Sequence, residues 1–439
     1  MRKALGFAFL LISISAICIE RQPNSDYRAR REALANKANA AVLVFADVEA
    51  EGQNDLYGFR QDDNFYYLTG WTDPGAALLI TPARAAANGQ PSFPYTEILF
   101  LPAHNRTQER WTGPKLGPEN PQAPQITGVD RIEVLDKMRD ELARVLPQNA
   151  ATVYVNSGKI SASSVAWLKR ANAFPNYASI EDADPLIAEL RVRKDAGEVE
   201  LIRKATQASM AGQLAAMKAM HPGTGERQIA ALTQYEFEKR GCERPAYAPI
   251  VGAGFNSTVL HYSDDDGPIR DGDVVVMDVA GEYSMYASDI TRTLPANGKF
   301  TPRQREIYEI VLGAQQAAID AFQSGKSTIS RDSPNSLYKV AYDYINSHGN
   351  DLHGAPLGQY FIHGLSHYVG LNVHDVGDTT QPLGPGMVFT IEPGIYIPEE
   401  KIGVRIEDLF YVNRNGRLIR LTEGLPRTIE EVEAAMSSR

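Results

Sequence analysis

An uninterrupted apolar run, Val274-Val-Val-Met277, ends in an acid, Asp278, and the chain returns through a second acid, Asp289. Such a run reads as a buried strand, so Asp278 is carried toward the interior. With Tyr283 and Ser284 as the tip of a hairpin, residue 282 opposes 285 and, by the same arithmetic, 278 opposes 289. Opposed residues share a face, with Cβ atoms about 5 Å apart. Two carboxylates held that close repel one another unless a cation sits between them. The expectation is a buried hairpin that serves a cation.

Two further acids lie in similar settings. Glu392 follows Met387-Val-Phe-Thr-Ile391 and precedes Pro393-Gly394. Glu407 lies in Gly403-Val-Arg-Ile-Glu-Asp408, where a strand would put Arg405 and Glu407 on one face. Five of the eight histidines fall between positions 348 and 374: His348, His353, His363, His367 and His374. The i,i+4 spacing of His363 and His367 would suit a zinc-binding helix, but Gly364 and Gly370 weaken a helix and the glutamate of that motif is missing. Four carboxylates and one histidine instead suggest an oxygen-rich site for two metal ions. Hard oxygen donors with one imidazole suit manganese, with zinc, cobalt or iron as alternatives.

A chain of 439 residues is too long for one compact core and suggests two domains. Its formal net charge of −10, without long basic runs, disfavours a nucleic-acid partner. Two cysteines cannot build a disulfide framework. Arg2 and Lys3 precede an apolar stretch, Ala4–Ile19, after which Glu20 and Arg21 open a polar region. That order reads as a secretory signal over residues 1–19 and predicts an exported product, periplasmic or extracellular, with no membrane association once the signal is removed. Cys18 follows Ile17 rather than a small residue, which argues against a lipid anchor.

Residues 25–190 alternate short strands and helices, the pattern of an α/β domain. Strands are expected at Ala41–Phe45, Phe65–Leu68, Ala76–Ile80, Glu97–Leu101 and Thr152–Val155, with Asp26 capping a first helix. The composition shifts near Asp182-Ala-Asp-Pro185, and the boundary is placed near residue 190. Beyond it, Asp195 with Glu198 forms a capping-box spacing, and apolar residues follow at helical period until His221-Pro222-Gly223. Further helices are expected over Glu226–Lys239 and from a cap at Thr301, with strands at Val274–Met277 and Met387–Ile391.

Taken in order, His261-Tyr-Ser, Met277-Asp-Val-Ala-Gly-Glu-Tyr, Asp289-Ile-Thr-Arg-Thr, His363-Gly-Leu-Ser-His, Val373-His-Asp-Val-Gly, Thr390-Ile-Glu-Pro-Gly-Ile-Tyr and Val404-Arg-Ile-Glu-Asp form a series. The series resembles the pita-bread metallopeptidases, and within them the aminopeptidase P (Xaa-Pro aminopeptidase) family, with prolidase the next relative. Asn64-Phe-Tyr-Tyr-Leu-Thr-Gly70 extends the likeness into the N-terminal half. It implies an α/β N-terminal domain over 25–190 and an α+β pita-bread catalytic domain over 191–439.

The resemblance also implies roles. Asp278, Asp289, His367, Glu392 and Glu407 would be the metal ligands, with Asp289 and Glu407 bridging two divalent ions, Asp278 holding one, and His367 with Glu392 the other. His261, His363 and His374 would face substrate, and Arg405 would lie beside the site. Glu392 would also shuttle a proton, and His374 would stabilise developing charge. Peptides with proline second are the expected substrates, and a homo-oligomer the expected assembly. A prolidase limited to dipeptides is the nearest alternative. Ser366 favours aminopeptidase P, because prolidases tend to have glycine there. A non-catalytic module on the same fold would have lost a ligand, and none is lost.

Overall fold

The computed structural model describes residues 19–49, 56–87, 92, 94–145, 152–156 and 179–437. The expected signal, over residues 1–19, lies outside them except for its last position. Among the described residues no helix is long and apolar enough to cross a membrane.

The N-terminal part is built on a six-stranded mixed sheet. The strand Ala41–Phe45 sits inside it, antiparallel to Ala77–Thr81 and parallel to Thr152–Val155. Strands Thr96–Leu101 and Arg131–Val134 extend one side and Ser179–Asp182 the other. Parallel neighbours require crossover connections, which is why helical and strand patterns alternate in this half.

Two expectations about this half are corrected. Phe65–Leu68 belongs to a helix, Asp63–Thr69, not to a strand. The Asp62 carboxylate accepts from Phe65 N at the start, and Gly70 closes the end at φ 61°. All residues from Phe65 to Thr69 are buried, so the run is apolar on every side and carries no period to read. Asp26 does not cap the first helix, which spans Asn24–Ala38 after Pro23. It sits in the first turn, where its charge complements the helix N-terminus.

The C-terminal part begins with the helix Ala196–Ala219, whose Asp195–Glu198 capping box is formed. Helices Glu226–Glu238 and Pro302–Ala321 follow, the latter entered through Thr301, Pro302 and Gln304. Inside these helices lie Ile250–Ala253, Val274–Asp278 and Thr291–Pro295 as one antiparallel sheet. Val388–Ile391 pairs with Asp408–Val412, and Gly394–Ile397 with Ile402–Arg405. One apolar core, including Phe237, Val275, Met277, Val311, Phe389 and Ile406, joins helices to strands.

The hairpin register differs from the expected one by two. Tyr283 pairs with Tyr286, so Ser284 and Met285 form the tip, with φ of 50° and 72°. Both values suit a tight two-residue turn that usually recruits glycine or asparagine. Contacts from outside hold it: Glu243 accepts from Ser284 N at 2.8 Å, and Ser284 Oγ accepts from Glu20 N at 2.7 Å. Asp278 therefore pairs with Thr291, while Asp289 lies outside the ladder two residues earlier. A shift of two preserves the face.

The two parts share a second core, in which Leu34, Phe65, Tyr66 and Leu68 pack with Leu201, Tyr286, Val369 and Leu409. Polar bonds cross the same boundary, among them Arg60 Nε to Glu282 at 2.8 Å and Arg60 Nη2 to the Leu371 carbonyl at 2.6 Å. Leu371 lies three residues before His374, so the junction between the parts also braces the segment that carries this histidine.

Candidate metal centre

Each acid of the expected set reaches one point from the end of a strand. Asp278 closes Val274–Asp278, Asp289 precedes Thr291–Pro295, Glu392 follows Val388–Ile391, and Glu407 lies between Ile402–Arg405 and Asp408–Val412. A strand end lets a buried apolar run deliver a charged side chain to a cleft floor. The strand expected to span Arg405 and Glu407 stops at Arg405, yet both side chains face Thr291: its hydroxyl donates to Glu407 Oε2 at 2.7 Å and accepts from Arg405 Nε at 3.1 Å.

The acids are crowded and dry. Asp278, Asp289 and Glu407 are 8%, 4% and 1% exposed. Tyr247 Oη lies 2.6 Å from Asp278 Oδ1 and 2.8 Å from Asp289 Oδ1. His367 Nε2 is 3.2 Å from Asp289 Oδ2 and 3.3 Å from Glu392 Oε1. Asp289, His367 and Glu407 each present a donor atom within 4.8 Å of the other two.

The electrostatics call for positive charge. Burial first, then the neighbouring acids, pushes the Glu407 carboxyl well above its ordinary range. Burial likewise raises Glu392, to about 7, against the pull of His367. Asp278 is raised by burial although Arg405 Nη2 donates to its Oδ2 at 2.8 Å. Burial pushes His367 down, but Asp289 and Glu392 outweigh it and lift the imidazole to about 9. Carboxylates crowded out of water either take up protons, as these raised values show, or hold cations among them.

The residues fit divalent ions on two further observations. Glu407 Oε1 is buried and has no hydrogen-bond partner among the described residues, leaving an oxygen lone pair for a cation. His367 Nδ1 lies 3.2 Å from the Tyr368 carbonyl, a bond that places the proton on Nδ1 and leaves Nε2 as a ligand atom.

Around this floor stands a cleft of about 230 Å³ lined by Tyr247, Ile250, His261, Asp278, Asp289 and His374. The His374 ring lies 4.1 Å from that of His367, and burial holds it below the ordinary imidazole range. His363 is held differently. Arg405 Nη1 donates to Tyr396 Oη at 2.9 Å, and Tyr396 Oη lies 2.8 Å from His363 Nε2. His363 Nδ1 lies 2.7 Å from the Gly364 carbonyl. Both its nitrogens are thus engaged, and burial together with Arg405 drives its imidazole down to about 3, so it stays neutral.

The structure leaves two of the clustered histidines apart: His348 stacks on Tyr344 at 3.8 Å, and His353 is exposed. It adds Tyr247, Tyr396, Thr291 and Thr390, whose hydroxyl donates to Glu392 at 3.0 Å. Tyr396, Thr291 and Thr390 lie inside the motif segments and were within reach of the sequence. Tyr247 stands alone, far before Asp278, and no local signal marks it.

Residues 200–414 match the metallopeptidase family M24, and residues 27–154 match the aminopeptidase P N-terminal domain. An Xaa-Pro aminopeptidase from Haemophilus influenzae is 34% identical, with 94% of this chain and 98% of that protein covered. An Xaa-Pro aminopeptidase from Escherichia coli is 33% identical, with 94% and 97% covered. Among solved structures, proline aminopeptidase P II from Yersinia pestis superimposes with a TM-score of 0.82 at 32% identity, covering 95% of this chain and 100% of that one. Aminopeptidase P from Escherichia coli with the inhibitor Pro-Leu gives 0.82 at 30% identity, with 95% and 99% covered. With the fold, the acid-lined cleft and these likenesses in agreement, the chain belongs to the aminopeptidase P family of pita-bread metallopeptidases and is a metallo-aminopeptidase.

Proposed function

We propose that this chain is an exported Xaa-Pro aminopeptidase, removing the first residue from peptides with proline second. The observation that carries the reading is the convergence of three buried carboxylates, the half-buried Glu392 and His367 at a cleft that Asp278, Asp289, His261 and His374 line. Asp289 and Glu407 would serve both ions, Asp278 would hold one, and His367 with Glu392 would hold the other. Manganese is the metal this donor set favours. When bound, the ions supply Lewis-acid polarisation of a carbonyl oxygen and make a nearby water more acidic.

The chain's own residues do the rest. Glu392, beside His367 and Thr390, takes a proton from water and passes it to the departing proline nitrogen. His374, at the cleft wall, donates to the oxygen on which charge develops. His261 lines the same cleft and steadies the peptide on the reacting side. Arg405 stabilises Asp278 and, through Tyr396, fixes the neutral tautomer of His363. An Xaa-Pro bond has no N–H and a fixed ring geometry, so peptidases that grip that N–H lose their hold. The matched relatives named Xaa-Pro aminopeptidase support this substrate class. The charged-apolar-polar order of residues 2–21 supports export.

The test is metal analysis of the purified protein with kinetics on Gly-Pro, Arg-Pro-Pro and a longer Xaa-Pro peptide, before and after chelation. Two Mn²⁺ per chain, turnover of the longer peptides and loss of turnover on chelation are expected. Turnover of Gly-Pro alone would make the chain a dipeptidase. Turnover unaffected by chelation would refute the metal-dependent reading. N-terminal sequencing of secreted and cell-retained protein tests export, which an intact Met1 on cytosolic protein would exclude.

A further inference from the structure

The two long helices of the C-terminal part each present one buried glutamine to the strand ends that carry the acids. Gln213, on Ala196–Ala219, and Gln315, on Pro302–Ala321, are both fully buried. Gln213 Nε2 donates to the Ile290 carbonyl at 2.9 Å and to the Met277 carbonyl at 3.3 Å. Met277 precedes Asp278, and Ile290 follows Asp289. Gln315 Nε2 lies within donating distance of the Ile391 carbonyl at 3.0 Å, Asp408 Oδ2 at 3.1 Å and the Ile406 carbonyl at 3.2 Å. Ile391 precedes Glu392, and Ile406 precedes Glu407. All four carboxylates are therefore covered by two side chains, two acids to each.

A primary amide has two N–H donors in a fixed fork. When both go to carbonyls on different segments, one rigid group sets the distance between those segments. Three of the four carbonyls belong to the peptide unit that enters an acid, and the fourth, of Ile290, lies one residue beyond Asp289, so each glutamine fixes the backbone from which its acids project. For Gln213 the contact is not explained by satisfying the glutamine itself, whereas Gln315 Oε1 accepts from Arg427 Nη1 at 3.1 Å. Gln213 Oε1 is buried with no hydrogen-bond partner among the described residues, an arrangement that burial alone disfavours.

We propose that Gln213 and Gln315 are paired positioning residues that hold the Asp278–Asp289 and Glu392–Glu407 ligand pairs at the spacing that binds divalent cations. The proposal rests on the reading that these acids hold metal. Groups that orient ligands without touching the ion are worth 10- to 100-fold in affinity in other metal sites. The same order is expected here, with turnover falling in step.

The test is Mn²⁺ binding to metal-free full-length protein, followed by calorimetry below the unfolding range. Gln213→Met and Gln315→Met keep length and helix propensity but remove both donors. Each should weaken at least one Mn²⁺ binding step by about tenfold or more. Tyr308→Phe is the matched control: it sits on the helix of Gln315 and loses a hydrogen bond to the carbonyl of Arg427, at 2.8 Å, a residue that itself donates to Gln315 Oε1, while both donors of Gln315 stay in place. It should bind Mn²⁺ within twofold of wild type even where its thermal midpoint falls as far. If a methionine variant does not fold, Gln213→Asn and Gln315→Asn, which keep the amide but draw it back by one methylene, take its place. Glutamine variants that bind Mn²⁺ like wild type would overturn the proposal, as would equal weakening by Tyr308→Phe. A wild-type chain that binds no Mn²⁺ would overturn the cation site itself, a separate result.

Discussion

Replacing Glu392 by Gln should stabilise the metal-free protein at pH 8 while destroying activity. The side chain is 14% exposed, with Oε1 3.3 Å from His367 Nε2. Burial raises its carboxyl from 4.5 to about 7. A pKa difference of that size corresponds to about 3 kcal/mol, an upper figure because His367 is tied to the same carboxylate. For a group whose folded pKa is raised, the protonated form favours the fold. Stability is then full below the unfolded value near 4.5 and is lost as pH rises through about 7. Glutamine stays neutral at every pH and escapes this loss. Metal-free Glu392→Gln should therefore exceed metal-free wild type by up to ~3 kcal/mol at pH 8, about 6–12 °C in thermal midpoint for a domain of this size. The advantage should shrink toward zero at pH 5. Differential scanning calorimetry of chelated samples at the two pH values reads both midpoints. A variant less stable than wild type at pH 8, or a gain that does not change with pH, would show that the site does not strain its acids.

Other substitutions separate the parts of the site. Asp289→Ala should abolish turnover and cut bound metal, measured by metal analysis, because on the proposed assignment its carboxylate would serve both ions; near-normal turnover with two metals would remove it from the ligand set. His374→Ala should keep both metals yet lose roughly 10²-fold in kcat, and loss of metal with it would make this histidine a ligand. Gly403→Ala would drive a methyl group into the Ser257 carbonyl on a buried strand. It should lower stability by about 1–3 kcal/mol or more in urea unfolding, and an unchanged midpoint would mean that the strand moves freely.

Much of the site was legible because its acids end apolar runs. Val274–Met277 and Met387–Ile391 announce buried strands, and an acid at the end of each has few uses other than a cation or an ion pair. Register was less legible. The turn at Ser284–Met285 takes positive φ without glycine, a conformation fixed by Glu243 and Glu20 from distant parts of the chain. The helix at Asp63–Thr69 was hidden for another reason: burial on all sides erased the amphipathic period, and only Asp62 and Gly70 mark its ends. Tyr247, Gln213 and Gln315 act across the fold on partners 31 to 91 positions away. No pattern local to any of them marks that role. Their function lies in where the helices pack, which depends on the whole core.

The most direct measurement of the central claim is the ratio of kcat/KM for Arg-Pro-Pro over Arg-Ala-Ala with the Mn²⁺-loaded protein. A cleft that holds the pyrrolidine ring buries two more side-chain carbons for proline than for alanine, about 1.6 kcal/mol at ~0.8 kcal/mol each, or roughly fifteen-fold before any effect of orientation. A ratio of that size or larger, lost when the metal is removed, is the expected result. Equal rates on the two peptides would contradict proline specificity.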